Sequence, residues 1–146
     1  VICLRAFSKM PGLAALRIGY GYSSTEMIGL LQRARQPFNT NAVAQAAAIG
    51  ALSDSEWVTQ CRQRNMNGLE QIGSGLEKLG IEYIPSHANF VLSKPGNGRR
   101  LFLELQRLGI ITRALGPSLA DYLRISIGTE EENNRLLTAL EKVLTV

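Results

Sequence analysis

Cysteine and histidine are scarce in this sequence, whose 146 residues include two cysteines, Cys3 and Cys61, and one histidine, His87. Two isolated cysteines do not form a disulfide framework, and they do not have the spacing of metal ligands. A metal or catalytic role for His87 would need partner residues that the sequence does not show, so we expect a loop residue and no metal site. We expect both cysteines to be buried thiols in a reducing, cytoplasmic compartment.

Long hydrophobic runs are also absent. The longest apolar stretch, residues 42–52, is interrupted by Gln45 and is shorter than the ~20 residues that a membrane-spanning helix needs. The chain begins with Val1, and its first residues lack the basic start and apolar core of a signal peptide. We therefore expect no membrane association, and we expect the chain to have been cut from a longer protein.

Positive charge is concentrated near the amino terminus of an otherwise ordinary globular composition. Residues 1–53 carry five basic side chains and one acidic one, whereas residues 54–146 carry eleven of each. Twelve of the sixteen basic residues are arginine, whose planar guanidinium group suits phosphate and carboxylate. This pattern favours a small anion as the ligand. We expect no nucleic-acid partner, because no run of basic residues is interleaved with aromatic ones.

The first residues predict a strand, a functional turn and a second strand. Residues 1–7 are rich in strand-forming side chains, and a glycine-containing segment at residues 11–20 predicts further strand. Ser8 and Lys9 lie between them, where a lysine has little structural reason to occur. A lysine drawn out of water at such a place is a nucleophilic amine able to form a Schiff base. A surface lysine at a strand end is the alternative interpretation.

Capping patterns predict the helices. Three pairs of residues have the spacing of a capping box: Ser23 with Glu26, Ser53 with Glu56, and Thr129 with Glu132. They predict helices over about residues 24–35 and 54–79 and at the carboxy terminus, and Asn39, Thr40 and Asn41 offer caps for another helix over 42–52. The helix over 54–79 is longer than the average of ~11–12 residues, so we expect it to connect two domains, residues 1–53 and 54–146.

The second domain is predicted to be a small α+β unit, because short strand patterns and helical patterns occur together in it. Strands are expected at residues 81–84, 88–93, 110–113 and 122–127, with a helix at 98–108. In the last strand Arg124 alternates with apolar residues, so its side chain is expected on the opposite face of the sheet.

Arg17 is a further candidate site residue. It follows Lys9 by eight residues and is flanked by Leu16 and Ile18. A guanidinium group drawn into apolar surroundings needs an anion as its partner. An outward-facing arginine on a strand is the alternative interpretation.

Three segments carry a resemblance to a known family. Ala6-Phe-Ser-Lys-Met-Pro-Gly-Leu-Ala-Ala-Leu-Arg-Ile-Gly-Tyr20 resembles the cofactor-lysine segment of fold-type I, pyridoxal-phosphate-dependent aminotransferases, most closely the histidinol-phosphate aminotransferase group. The segments at residues 35–45 and 123–133 are similar to later segments of the same family. The resemblance runs the length of this chain and covers the carboxy-terminal part of the family's chain.

The resemblance implies an α/β fold: the end of the large cofactor-binding domain over residues 1–53, then the connecting helix and the small carboxy-terminal domain over 54–146. It also implies the cofactor pyridoxal 5'-phosphate and a homodimeric, cytoplasmic enzyme of histidine biosynthesis. The partners are small molecules, with an amino group exchanged between histidinol phosphate and 2-oxoglutarate. Another aminotransferase or decarboxylase of the same fold, acting on an aromatic amino acid or threonine phosphate, is an alternative. A second alternative is that the chain, as it stands, is a non-catalytic fragment.

Site residues follow from the resemblance one by one. Lys9 would bind the cofactor covalently and move the substrate's proton. Ser8 and Arg17 would hold the cofactor phosphate. Arg124 would bind the anionic group of the substrate, and Arg113 would be the second arm of that clamp.

Overall fold

The computed structural model describes residues 1–144 and divides the chain into two compact units, one over Val1–Cys61 and one that begins at Arg62. Within the described residues, five α-helices and six strands in two antiparallel sheets form an α/β arrangement. The predicted fold class is confirmed. No helix within residues 1–144 is both long enough and apolar enough to cross a membrane.

The first unit contains a two-stranded sheet formed by β1 (Cys3–Ala6) and β2 (Gly19–Tyr22). A Cβ atom on Gly19 would lie 2.7 Å from the carbonyl oxygen of Arg5, so only glycine allows the two strands to approach this closely. The predicted strand over residues 11–20 is wrong for most of its length. Residues 14–16 form a 3-10 turn instead, and β2 starts after it.

The first unit also contains the helices α1 (Thr25–Ala34) and α2 (Ala42–Ser53). The predicted cap of α1 is displaced by one residue, because the hydroxyl of Ser24, and not that of Ser23, accepts a hydrogen bond from the Met27 N–H. Ser23 instead donates to the Val1 carbonyl at 2.8 Å. Asn41 caps α2, as the sequence suggested.

Helix α3 (Ser55–Lys78) confirms the long helix predicted over residues 54–79. Its predicted capping box is wrong, however, because the Asp54 carboxylate accepts from the Trp57 backbone N–H at 2.9 Å. Ser53 ends α2, and its hydroxyl bonds back to the Gly50 carbonyl at 2.8 Å. Aspartate is among the preferred N-cap residues, so Asp54 caps α3 while Ser53 remains the last residue of α2.

The second unit is built on a four-stranded sheet in the order β3-β4-β6-β5, with every neighbouring pair antiparallel. Its strands are β3 (Glu82–Ile84), β4 (Phe90–Lys94), β5 (Arg113–Ala114) and β6 (Leu123–Ser126), and its other helices are α4 (Gly98–Arg107) and α5 (Glu130–Leu144). The hydrophobic core combines buried side chains of β4 and β6 with those of three helices, for example Leu76 of α3, Leu105 of α4 and Leu140 of α5. This core fixes the face of the sheet on which polar side chains remain exposed.

Three further expectations have clear outcomes. The strand expected over residues 110–113 contains only Arg113 of that range, because the chain pairs with β6 at Arg113 and Ala114 alone. The thiols of Cys3 and Cys61 are free but half-buried rather than buried. His87 is exposed in the segment between β3 and β4, as expected of a loop residue.

Candidate functional site

Lys9 lies in a loop whose two ends are tied together by the backbone of Phe7. The Phe7 N–H donates to the Ile18 carbonyl at 3.3 Å, and the Phe7 carbonyl accepts from the Leu13 N–H at 2.9 Å. The Phe7 side chain is buried, and its ring centroid lies 5.7 Å from that of Tyr20. We call residues 7–18 the Lys9 loop. Its first residue directly follows β1 and its last directly precedes β2, so the hydrogen bond between Phe7 and Ile18 holds the two ends of the loop together at the sheet.

The tip of this loop is a tight turn over residues 9–12, which we call the Lys9 turn. The Gly12 N–H donates to the Lys9 carbonyl at 3.0 Å, and Gly12 has a φ of 72°, which favours glycine. The indole N–H of Trp57 donates to the Met10 carbonyl at 2.9 Å. The Lys9 side chain is exposed and Ser8 is half-buried. The backbone of the turn is therefore held while the amine stays accessible.

Arg17 lies in the same loop, directly after the 3-10 turn. It has a φ of 54°, in the left-handed region that costs an L residue about 1–2 kcal/mol. One guanidinium nitrogen, Nη1, donates to the Ala14 carbonyl at 2.6 Å. The expectation of an arginine on a strand among apolar neighbours is wrong, because Arg17 is exposed and precedes β2. Most of its five N–H donors remain available to an anion.

Arg113 and Arg124, which we call the arginine pair, lie directly opposite each other across β5 and β6. Residues in this position have Cβ atoms about 4.5–5.5 Å apart. Leu123 and Ile125 are buried whereas Arg124 is exposed, so the predicted face of the strand is confirmed. The structure thus brings together two arginines that are eleven residues apart in sequence.

The arginine pair lacks a counter-ion within the part of the chain that the structure describes. Neither side chain makes an ion pair with any of residues 1–144. Like charges directly opposite each other in a sheet are destabilising, and an anion bound to both would relieve the repulsion. Paired guanidinium groups are suited to phosphate or carboxylate.

Phe90 supports one member of the arginine pair. The guanidinium carbon of Arg124 lies 5.3 Å from the centroid of the Phe90 ring, within the range of a cation–π interaction. On β4, Leu92 is paired with Arg124 and Phe90 is two residues away. The sequence could not identify this contact, because it depends on the register between strands more than thirty residues apart.

The turn after β6 is held by a buried asparagine that the sequence also did not reveal. The Asn133 side-chain oxygen accepts from the Gly128 N–H at 3.0 Å, and its nitrogen donates to the Gln71 oxygen, Oε1, at 2.9 Å. Asn133 is 2% exposed. Since Gly128 follows the strand that carries Arg124, these bonds fix the end of that strand against α3 and α5.

Thr129 and Glu132 form the predicted capping box at the start of α5. The Thr129 N–H donates to the Glu132 carboxylate at 2.8 Å, and the Glu132 N–H donates to the Thr129 hydroxyl at 3.3 Å. The backbone hydrogen bond from Thr129 lowers the pKa of the Glu132 carboxyl group below its ordinary value. The charged form of this side chain is therefore the one that the folded chain favours.

The chain matches a known protein family over nearly all of its length. The model of the family described as aminotransferase class I and II matches residues 1–140. A protein of Dechloromonas aromatica (strain RCB) named histidinol-phosphate aminotransferase 1 is 48% identical over 145 residues, which are 99% of this chain and 40% of that protein. The chain thus spans about 40% of the length of the curated relatives that it matches.

Solved structures agree in fold. Histidinol-phosphate aminotransferase from Sinorhizobium meliloti, solved in complex with pyridoxal-5'-phosphate, matches with a TM-score of 0.88 and 32% identity, covering 99% of this chain and 41% of that one. The histidinol-phosphate aminotransferase of Clostridium acetobutylicum matches with a TM-score of 0.90 and 26% identity, covering 99% and 46%.

Proposed function

Because this chain belongs to the class I and II aminotransferase family, we propose that it is the carboxy-terminal part of an enzyme of histidine biosynthesis. That enzyme transfers an amino group between histidinol phosphate and 2-oxoglutarate. Its partners are these small molecules. Relatives with 42–48% identity that bear the name histidinol-phosphate aminotransferase support this proposal.

The arginine pair is the observation that carries the choice of substrate. Both reactants have anionic groups, namely the phosphate of histidinol phosphate and the carboxylates of 2-oxoglutarate. Arg113 and Arg124 present two uncompensated cations on the exposed face of one sheet. Two guanidinium groups so placed bind such an anion through several charge-assisted hydrogen bonds. The phosphate of the amino donor and a carboxylate of the oxo acid then occupy the same anion site, one after the other.

The residues of the Lys9 loop fit pyridoxal 5'-phosphate as the cofactor. The exposed Lys9 amine suits the cofactor's aldehyde, and the Arg17 guanidinium with the Ser8 hydroxyl suits its phosphate. When bound, this cofactor supplies the electron sink that stabilises a carbanion at the substrate Cα. Lys9 would hold the cofactor through its amine, and the same side chain, once released from the cofactor by the amine of the substrate, would move the proton at the substrate Cα. Arg17 and Ser8 keep the cofactor in place meanwhile.

The complete enzyme is proposed to be a cytoplasmic homodimer in which residues 1–53 end the large domain and residues 54–146 form the connecting helix and small domain. The free thiols of Cys3 and Cys61 suit a reducing compartment. Large apolar side chains exposed in the first unit, such as Phe38, Val43 and Ile49, support burial against further protein. Light scattering of the complete protein in solution tests the dimer.

Amino transfer by the complete protein tests the proposed activity. We expect glutamate to form from 2-oxoglutarate when histidinol phosphate and pyridoxal phosphate are present. Lys9→Ala removes the base that moves the proton, so we expect the rate to fall by about 10²–10⁴-fold. Arg33→Ala, which removes an exposed cation outside the Lys9 loop, is the matched control. Turnover of Lys9→Ala at the wild-type rate would overturn the role of Lys9.

Substrate discrimination tests the arginine pair. The wild-type enzyme should prefer histidinol phosphate to histidinol, which lacks the phosphate. Arg124→Ala removes charge-assisted hydrogen bonds, so we expect this preference to fall by about 10- to 100-fold. A preference that is unchanged in Arg124→Ala would contradict the assignment. Faster amino transfer from an aromatic amino acid, or carbon dioxide release from threonine phosphate, would favour the other activities of the fold.

A further inference from the structure

Trp57 joins the start of α3 to the Lys9 turn through two separate N–H groups. Its backbone N–H donates to the Asp54 carboxylate at 2.9 Å, and its indole N–H donates to the Met10 carbonyl at 2.9 Å. The first bond fixes Trp57 in the first turn of the helix. The second reaches across 47 positions of sequence to the residue that directly follows Lys9.

The carbonyl that Trp57 contacts lies at a restricted point of the chain. Met10 precedes Pro11, whose ring fixes its own φ and restricts the residue before it. Two residues further on, the Gly12 N–H returns to the Lys9 carbonyl at 3.0 Å. The Lys9 turn is therefore held by one hydrogen bond within its own backbone and by a second from the indole.

Within this chain the Trp57 side chain is only partly covered. It is 44% exposed, and the specific contact that it makes here is a hydrogen bond. An indole N–H is a donor only, and here its acceptor is a backbone carbonyl of the turn. The side chain thus provides a directed hydrogen bond to the turn.

We propose that Trp57 is a positioning residue, which holds the backbone of the Lys9 turn through its indole N–H and so sets the orientation of the Lys9 amine. This inference rests on the proposed function, since it assigns Trp57 to the same cofactor site. Trp57 acts through the turn and does not itself react.

The first test measures the turn directly, in the complete protein without cofactor. Trp57→Phe keeps a ring and removes the N–H, and benzothienylalanine at position 57 keeps the shape of tryptophan and removes the N–H. Tyr22→Phe, which removes a polar hydrogen from another exposed aromatic of the same unit, is the matched control. We expect amide hydrogen exchange of residues 7–18 to become about 2- to 10-fold faster in both position-57 variants, and unchanged in Tyr22→Phe. Exchange at the wild-type rate in both would overturn the proposal.

The second test measures the chemistry of the loaded enzyme. In both position-57 variants we expect kcat to fall by about 2- to 10-fold with KM for histidinol phosphate unchanged. We also expect a shift in the pH at which the absorption of the bound cofactor changes. Faster exchange with wild-type kcat and an unshifted absorption profile would reduce Trp57 to a structural role and overturn the proposal. A wild-type protein without amino transfer would instead overturn the proposed function, and the exchange experiment would still decide whether Trp57 holds the turn.

Discussion

Arg113 and Arg124 occupy directly opposed positions of two antiparallel strands, and within residues 1–144 no carboxylate is paired with either. Such a pair is unfavourable for the sheet in the absence of an anion. A phosphate or carboxylate that binds both guanidinium groups relieves this repulsion. Anion binding should therefore stabilise the sheet. Stability and binding are opposed at this site.

Replacing Arg113 should stabilise the chain while weakening its anion site. We expect Arg113→Gln to raise the free energy of unfolding by about 0.2–1 kcal/mol at low salt, and we expect added salt to shrink the gain by screening. Thermal unfolding at two ionic strengths measures this. Arg107→Gln is the control with the opposite sign, since Arg107 lies in the last turn of α4, where a cation is favourable. A loss of stability in Arg113→Gln at low salt would contradict the repulsion.

Replacing Phe90 should affect the substrate through Arg124. Phe90→Leu keeps an apolar side chain and removes the aromatic face, so we expect KM for histidinol phosphate to rise about 2- to 5-fold. Phe102→Leu, which alters another partly buried phenylalanine of the same unit, should lower the melting temperature and leave KM unchanged. Equal KM values for wild type and Phe90→Leu would show that the ring does not orient the guanidinium group.

Two glycines of the first unit should respond to alanine with opposite signs. In Gly19→Ala the new Cβ meets the Arg5 carbonyl oxygen at 2.7 Å, so we expect a loss of about 1–3 kcal/mol in the free energy of unfolding. In Gly29→Ala, within α1, the new Cβ has no neighbour within 4 Å, and we expect a gain of about 0.5–1 kcal/mol. Chemical denaturation of the two variants provides the comparison, and an unaffected Gly19→Ala would show that β1 and β2 can separate without cost.

The capping box of α5 should make stability depend on pH. The pKa of Glu132 is lowered in the folded chain, so its contribution is present above the unfolded pKa and is lost as pH falls through the folded value. Glu132→Gln keeps an acceptor for the Thr129 N–H but removes the charge. We therefore expect it to lower stability at neutral pH and to reduce the loss on acidification. Glu131→Gln is the control in the same helical turn. Identical acid unfolding curves for wild type and Glu132→Gln would contradict this account.

Periodicity and capping residues predicted the helices well, and local competition explains the errors. The extent of α3 follows from its recurring apolar residues, and the start of α5 follows from its capping box. The start of α3 was assigned to Ser53 because Glu56 completes a box, yet Asp54 is the cap. Adjacent candidates compete for the same N–H groups, and their order of preference is too close for the pattern to decide.

Residues that the family resemblance names could be predicted from the sequence, including Arg113 and Arg124 on different strands, whereas the residues that support them through tertiary contacts could not. Lys9 and Arg17 share one loop, so a single segment identified both. Phe90 and Trp57 came to light only with the register of β4 against β6 and the return of α3 to the Lys9 turn. Strand register and side-chain hydrogen bonds over such separations leave no local pattern. The site role of each residue stays a prediction until the variants are measured.

Trp57 is the single tryptophan of the sequence, and its indole is bonded to the residue after Lys9. The intrinsic tryptophan fluorescence of this chain therefore arises from one fluorophore attached to one turn. Any event that strains, frees or covers that turn changes the emission of this indole, without an introduced dye. Because its indole is bonded to Met10, the fluorescence of Trp57 is an intrinsic probe of the Lys9 turn.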